Sequence, residues 1–204
     1  MSDAAAGRTG RGRPGYDRPA VLAVAVTVFN ERGFDGTSMQ DLSDRLGISK
    51  SAIYHHVDSK DALLELALDH ALEGLETVAD RVRRTPAPAV RRLELLVEGS
   101  VRVLTERLPY VTLLLRVRGN TDVERSALER RRRLDHLAAE LVAAGVREGD
   151  IRADVDPAVT ARLLFGMVNS LVEWYRPHHD DDPRVLSRAL FDLAFTGLRL
   201  APSV

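Results

Sequence analysis

The sequence predicts an all-α chain, and three observations carry that prediction. Apolar residues recur at i, i+3 and i+4 spacing in successive segments along the chain. Pro, Gly, Ser, Thr and Asp separate those segments at the places where helices start and stop. Between Thr37 and Lys60 the pattern contracts to two short helices with a glycine between them, the layout of a helix-turn-helix. With 204 residues, 45% hydrophobic and 29% charged, the chain can bury a core in one moderate domain or in a small one fused to a larger one.

Residues 1–16 are rich in Gly, Ala and Arg without periodicity and read as a flexible basic arm. Arg8, Arg11, Arg13 and Arg18 outnumber Asp3 and Asp17 in the first stretch of the chain. Arg11-Gly12-Arg13-Pro14 resembles the core of an AT-hook, whose arginines suit a narrow A·T-rich minor groove; the alternative is a solvated tail. Helix 1 is expected from Pro19 to Arg32, with Val21, Val24, Ala25, Val28 and Phe29 as its buried stripe. Gly33 ends it, and Phe34 seals a small three-helix core.

Thr37 and Ser38 are N-cap residue types, and Ser38 with Asp41 fits a capping box. Met39, Leu42 and Leu46 give the next helix one apolar face, and Gly47 suits its sharp end. Ile48 is the apolar plug where two short helices cross, and Ser49 caps the second. That helix, Ser49 to His56, carries Ser49, Lys50, Ser51, Tyr54, His55 and His56, a set unsuited to a core. Such side chains suit a helix in the major groove, donating to phosphates and base edges, and Arg11, Arg13, Thr37, Ser38 and Lys60 are expected to join them as DNA contacts. Net charge is −1, so any nucleic-acid footprint is local, and the only lysines, Lys50 and Lys60, fall at the ends of this segment.

The run Phe34 to Leu64, F-D-G-T-S-M-Q-D-L-S-D-R-L-G-I-S-K-S-A-I-Y-H-H-V-D-S-K-D-A-L-L, resembles the N-terminal signature of the TetR family of transcriptional regulators. The likeness extends from about Val21 to Leu66. It implies a DNA-reading unit over 17–60 and a ligand-binding, dimerising bundle over 61–204.

The bundle begins with a long helix, Lys60 to about Arg84, with Leu63, Leu64, Ala67, Ala71, Leu75, Val78 and Val82 inside. A rod shared by two units is a route for movement between them. Pro86 and Pro88 break the pattern before a helix from Ala87 to Arg107, and Pro109 starts a short one ending near Arg116. After the loop Arg116 to Asn120, Thr121 and Glu124 form a capping box for a helix reaching about Arg147. Its Arg130 to Arg133 run reads as a solvated face paired with acids such as Glu129 and Asp135.

Asp156-Pro157 opens a helix to Tyr175 that is apolar on two sides. One stripe is Val159, Leu163, Met167, Ser170 and Trp174; the other is Leu164, Phe165, Val168, Val172 and Tyr175. The helix Pro183 to Leu200 repeats this with Leu186, Leu190, Leu193 and Gly197 beside Phe191, Ala194, Phe195 and Leu198. Two helices apolar nearly all round predict a four-helix homodimer interface, with Leu163, Met167, Leu186, Leu190, Leu193 and Gly197 in it.

Asn169, Trp174 and Arg176 are polar or amphipathic groups on a helix that otherwise reads as buried, so a ligand could partner them. Leu164 to Ser170, Glu173 to Pro177 and Leu113 to Arg125 together resemble a TetR branch that answers to acyl-coenzyme A thioesters. Members of that branch control phenylacetate, fatty-acid or steroid-ring breakdown; Ser170 departs from the bulky aromatic of some relatives. Arg116, Arg118 and Arg176 then become partners for coenzyme A phosphates or, equally, surface salt-bridge residues at a dimer rim.

There is no cysteine, no secretory signal and no membrane-length apolar run, which predicts a soluble, cytoplasmic protein without disulfides or thiolate metal sites. His178 to Asp182 holds metal-ligand types, but adjacent residues converge poorly on one ion, so no metal and no cofactor are expected. No nucleophile–base set or Gly-rich phosphate loop appears. The reading is a ligand-responsive regulator that leaves a palindromic operator when a small-molecule effector binds. Its alternatives are a repressor sensing drugs or other hydrophobic ligands, or a helical acyl-thioester enzyme or carrier.

Overall fold

A computed structural model describes residues 17–177 and 182–198 of the chain. The described residues form nine helices and no strand: α1 (Arg18–Arg32), α2 (Met39–Leu46), α3 (Lys50–Tyr54), α4 (Lys60–Arg84), α5 (Ala89–Glu106), α6 (Leu108–Arg116), α7 (Asp122–Glu148), α8 (Pro157–Trp174) and α9 (Pro183–Leu198).

The starts follow local chemistry. Asp17, Ser38, Ser49, Ser59, Thr121 and Asp156 each accept a backbone N–H of their own first turn. Helix 1 therefore begins at Arg18, one residue before the predicted Pro19. Helix 3 is shorter than the predicted Ser49 to His56, because the chain leaves helical geometry after His55 to reach the Ser59 cap. The Thr121–Glu124 box is only half formed. Thr121 Oγ1 caps Glu124 N–H, but the Glu124 carboxylate, 4% exposed, instead accepts the N–H groups of Arg118, Gly119 and Asn120 at 2.7–3.0 Å. It closes the α6–α7 loop.

α4 is the central rod, packed against α1, α5, α6 and α7, while α7 lies along α8 and α5 along α9. Leu68 and Leu72 are buried on α4, and Val26 on α1, beyond the stripes predicted for them. A Cβ on Gly99 of α5 would stand 2.4 Å from Val78 Cγ1 on α4, so a glycine is what lets those two helices cross so closely. The arginine run is not uniformly solvated. Arg130 Nε and Nη2 each lie 2.8 Å from a Glu76 oxygen, and its Nη1 bonds Asp69, so it clamps α7 to α4 rather than pairing with Glu129 or Asp135. α9 lies mainly on α5 and touches α8 only lightly.

Candidate nucleic-acid interface and bundle cavity

The N-terminal unit is built around Ile53, Leu42, Val21, Ala25 and Phe29, all buried. Gly47 adopts the left-handed conformation (φ 66°, ψ 30°) and returns its N–H to Ser43 and Asp44, while Ser43 Oγ donates to the Ile48 carbonyl. These bonds fix the angle at which α3 leaves α2. The Ser38–Asp41 capping box is complete, and the Ser38 hydroxyl and N–H bonds hold the Asp41 carboxyl below its usual range. Arg45 bridges Glu31 with both terminal nitrogens, at 2.7 and 3.0 Å, tying α2 to α1.

On α3, Lys50, Ser51, Tyr54 and His55 are exposed, and Tyr54 presents a large ring 48% open to solvent. Ser49 is exposed but its hydroxyl accepts the Ala52 N–H, and His56 is half-buried at the turn beyond the helix. Two predicted contact residues have other work. Thr37 is 2% exposed and donates its hydroxyl to the Gly33 carbonyl at 2.7 Å. Lys60 Nζ donates to the carbonyls of Phe34 (2.9 Å) and Thr37 (2.8 Å), directly beneath the α1–α2 connection. A part-buried pair of carbonyls is a stronger claim on an ammonium than the sequence pattern revealed. Arg11 and Arg13 lie outside the described residues, as does the run His178 to Asp181.

The head is joined to the bundle through α6. Asn30 Nδ2 on α1 donates to the Pro109 carbonyl at 2.8 Å, and Arg116 Nη1 donates to the Asn30 carbonyl at 2.6 Å. Asn120 Nδ2 adds a bond to Asp35 at 3.0 Å. Asn30 Oδ1 is buried without a partner among the described residues, a point of incomplete satisfaction at the junction.

Behind α6 lies an inner cavity of about 30 Å³. Its apolar wall includes Val111, Leu114 and Leu115 of α6, Leu75 of α4, Leu104 of α5 and Phe165 of α8. Four polar residues interrupt it: Ser100 of α5, Arg131 and Asp135 of α7, and Asn169 of α8. Burial pushes the Asp135 carboxyl above its ordinary value, against the weaker pull of Arg131, His136 and Arg162.

Of the five predicted ligand residues, only Asn169 lines this cavity. Arg116 is committed to Asn30, and Arg118 is exposed on the α6–α7 loop. Trp174 is 51% exposed, and Arg176 turns back onto the Tyr175 and Glu173 carbonyls at the end of α8. The helix that reads as buried is covered on one side only, so Trp174 meets solvent while Asn169 faces the cavity. Arg131 and Asp135 escaped the sequence reading because a charge run on a long helix does not reveal which member turns inward.

The uncovered side of α8 and α9 carries Val159 (47% exposed), Leu163 (65%), Val185 (64%) and Leu193 (74%). Met167, Leu186 and Leu190 are half-buried at its edge, and the surroundings of Gly197 lie outside the described residues. Among the described residues no helix is long and apolar enough to cross a membrane, and no group of three or more His, Cys, Asp or Glu is placed to hold a metal ion.

Head, junction and cavity define a helix-turn-helix regulator with a helical bundle behind it, and comparison with known proteins agrees. Residues 21–67 match the family described as bacterial regulatory proteins, tetR family, and residues 86–198 match that described as Tetracyclin repressor-like, C-terminal domain. This chain belongs to the TetR family of transcriptional regulators. A TetR-family regulator from Streptomyces coelicolor A3 is 49% identical, with a TM-score of 0.82 over 95% of this chain and 98% of that one. The HTH-type transcriptional repressor KstR2 of Rhodococcus jostii is 27% identical over 97% of this chain and 95% of its own length. The fold is shared with AibR, crystallised in complex with isovaleryl coenzyme A and operator DNA (TM-score 0.74, 23% identity, 87% of this chain and 97% of that one).

Proposed function

We propose that this protein is a homodimeric repressor that reads a palindromic operator with α3 and leaves it when an effector enters the bundle cavity. The observation that carries the reading is the double role of α6. One face walls the cavity through Val111, Leu114 and Leu115, and its two ends hold α1 through Pro109 and Arg116. The cavity, at about 30 Å³, is far too small for an acyl chain, so an effector must displace a wall to enter. A displaced α6 pulls on Asn30 and shifts the head.

Lys50, Ser51, Tyr54 and His55 supply the phosphate and base contacts. Two such helices must sit about 34–36 Å apart to enter successive major grooves, so a few ångströms of splay suffices for release. The apolar face of α8 and α9 seats the second copy. The repressor role is supported by the name of KstR2; for the effector, an acyl-coenzyme A thioester is supported by the fold shared with AibR, together with the apolar cavity wall.

The test is fluorescence anisotropy of the full chain on its own promoter DNA. Micromolar acyl-coenzyme A thioesters should release the DNA, whereas unrelated hydrophobic drugs should not. Release by the drugs alone would make the protein a sensor of another ligand class. Binding without sequence preference would remove the operator reading itself.

A further inference from the structure

Four polar side chains interrupt the apolar wall of the cavity. Asp135 and Arg131 sit one turn apart on α7 and both line it, with Asn169 across from α8 and Ser100 from α5. Ser100 is 4% exposed, and the other three are half-buried. Resting on the effector-cavity reading above, we propose that these groups select a neutral group that both donates and accepts hydrogen bonds, and that Asp135 rejects free carboxylates.

The argument turns on which charge the ligand meets. An arginine head rides on a long flexible stem and can lean toward water, whereas an aspartate carboxylate stays where one methylene puts it. Asp135 is therefore the fixed charge of the cavity. It accepts hydrogen bonds only, so the ligand must present a donor to it. Asn169 and Ser100 can donate in return, so a carbonyl or hydroxyl oxygen beside that donor is matched as well. A secondary amide, such as those in the arm of a coenzyme A thioester, has both groups side by side. A carboxylate has no donor and places a second negative charge against Asp135 inside an apolar wall. An ammonium satisfies Asp135 but leaves Asn169 without an acceptor. Burial of Asp135 agrees with its inward position, since its carboxyl is raised by desolvation.

The experiment is calorimetric titration of the full chain, wild type and Asp135→Asn, with octanamide, octanoate, octylammonium and octanoyl-coenzyme A. Wild type should bind octanamide at least about tenfold more tightly than octanoate, a gap that a like charge at short range readily produces. Asp135→Asn keeps the shape and removes the charge, so octanoate should tighten about tenfold and octanamide should change by less than about threefold. Asp135→Leu, which cannot accept a hydrogen bond, should weaken octanamide. Equal binding of octanoate and octanamide by wild type overturns the proposal, as does an unchanged gap in Asp135→Asn. Tightest binding of octylammonium would make this a cation site instead. If no member of the panel enters the wild-type cavity, the effector-site reading falls and takes this proposal with it.

Discussion

The Lys60 ammonium lies 4.2 Å from the centre of the Phe34 ring and 2.9 Å from the carbonyl oxygen of the same residue. With the second bond to Thr37, the first residue of α4 grips the connection that leads into α2. The long helix that runs through the bundle thus ends on the segment that aims the helix-turn-helix. The charged contact is worth on the order of 1–3 kcal/mol.

Lys60→Met should therefore weaken operator binding without removing a phosphate contact. The slope of log affinity against log salt should stay at its wild-type value, whereas Lys50→Met should make it shallower by about 0.9. Anisotropy titrations over a range of salt separate the two. A unit of slope lost in Lys60→Met would make Lys60 a phosphate-binding residue.

Tyr54→Ala and Lys50→Ala should each cost on the order of 1–3 kcal/mol of operator binding, with helicity and dimer mass unchanged. Wild-type affinity in the folded double variant would remove α3 from the recognition role.

Leu163→Glu and Leu193→Glu test the assembly. Both side chains are more than half exposed in a single copy, so the protomer should keep its helix content. Seated against a partner, each carboxylate would be buried without a counter-charge, at a cost of about 3–5 kcal/mol. Sedimentation should show half the native mass, and native dimers from both variants would place the interface elsewhere.

Arg116→Ala tests the coupling. It deletes the bond to the Asn30 carbonyl while leaving α3 and the cavity wall intact. Operator affinity without effector should hold within about threefold, and the effector concentration for half-release should rise about tenfold, within the usual range of coupling energies. Unaltered release would show that the signal bypasses the α1–α6 junction.

The Arg130 clamp makes a pH-dependent contribution. Hydrogen bonding to Arg130 holds the Glu76 carboxyl below its ordinary 4.5, so the bridge stabilises the fold above that value and is lost as pH falls through the lowered one. Glu76 is 38% exposed, and solvent screening limits the pair to about 1 kcal/mol. Thermal melts of Arg130→Gln should fall below wild type from about pH 7 to about pH 5 and converge with it in stronger acid.

Helix number, helix caps and the helix-turn-helix could all be read along the chain, because their causes are local. Ser38 and Asp41 are three residues apart, Gly47 closes its own turn, and Asp156 caps the helix that its neighbour Pro157 begins. The exposed character of Lys50 and Tyr54 followed from the same short-range logic, since a helix so rich in polar groups has no apolar face to bury them behind.

Only the tertiary structure decided which polar groups face inward and what each long side chain touches. Lys60 reads as a free cation until Phe34, 26 residues earlier, folds over it. Glu124 reads as half of a capping box until the α6–α7 loop offers three N–H groups. In Arg130, Arg131 and Asp135 one helix carries a clamp and two cavity residues, and the rotation of α7 against α4 and α8 sorts them. Periodicity identifies an apolar face but not its partner, so Trp174 and Arg176 read as buried on a helix that leaves them in solvent. Local hydrogen bonds are written between residues a few positions apart; a cavity depends on the packing of five helices at once, and no stretch of sequence contains that information.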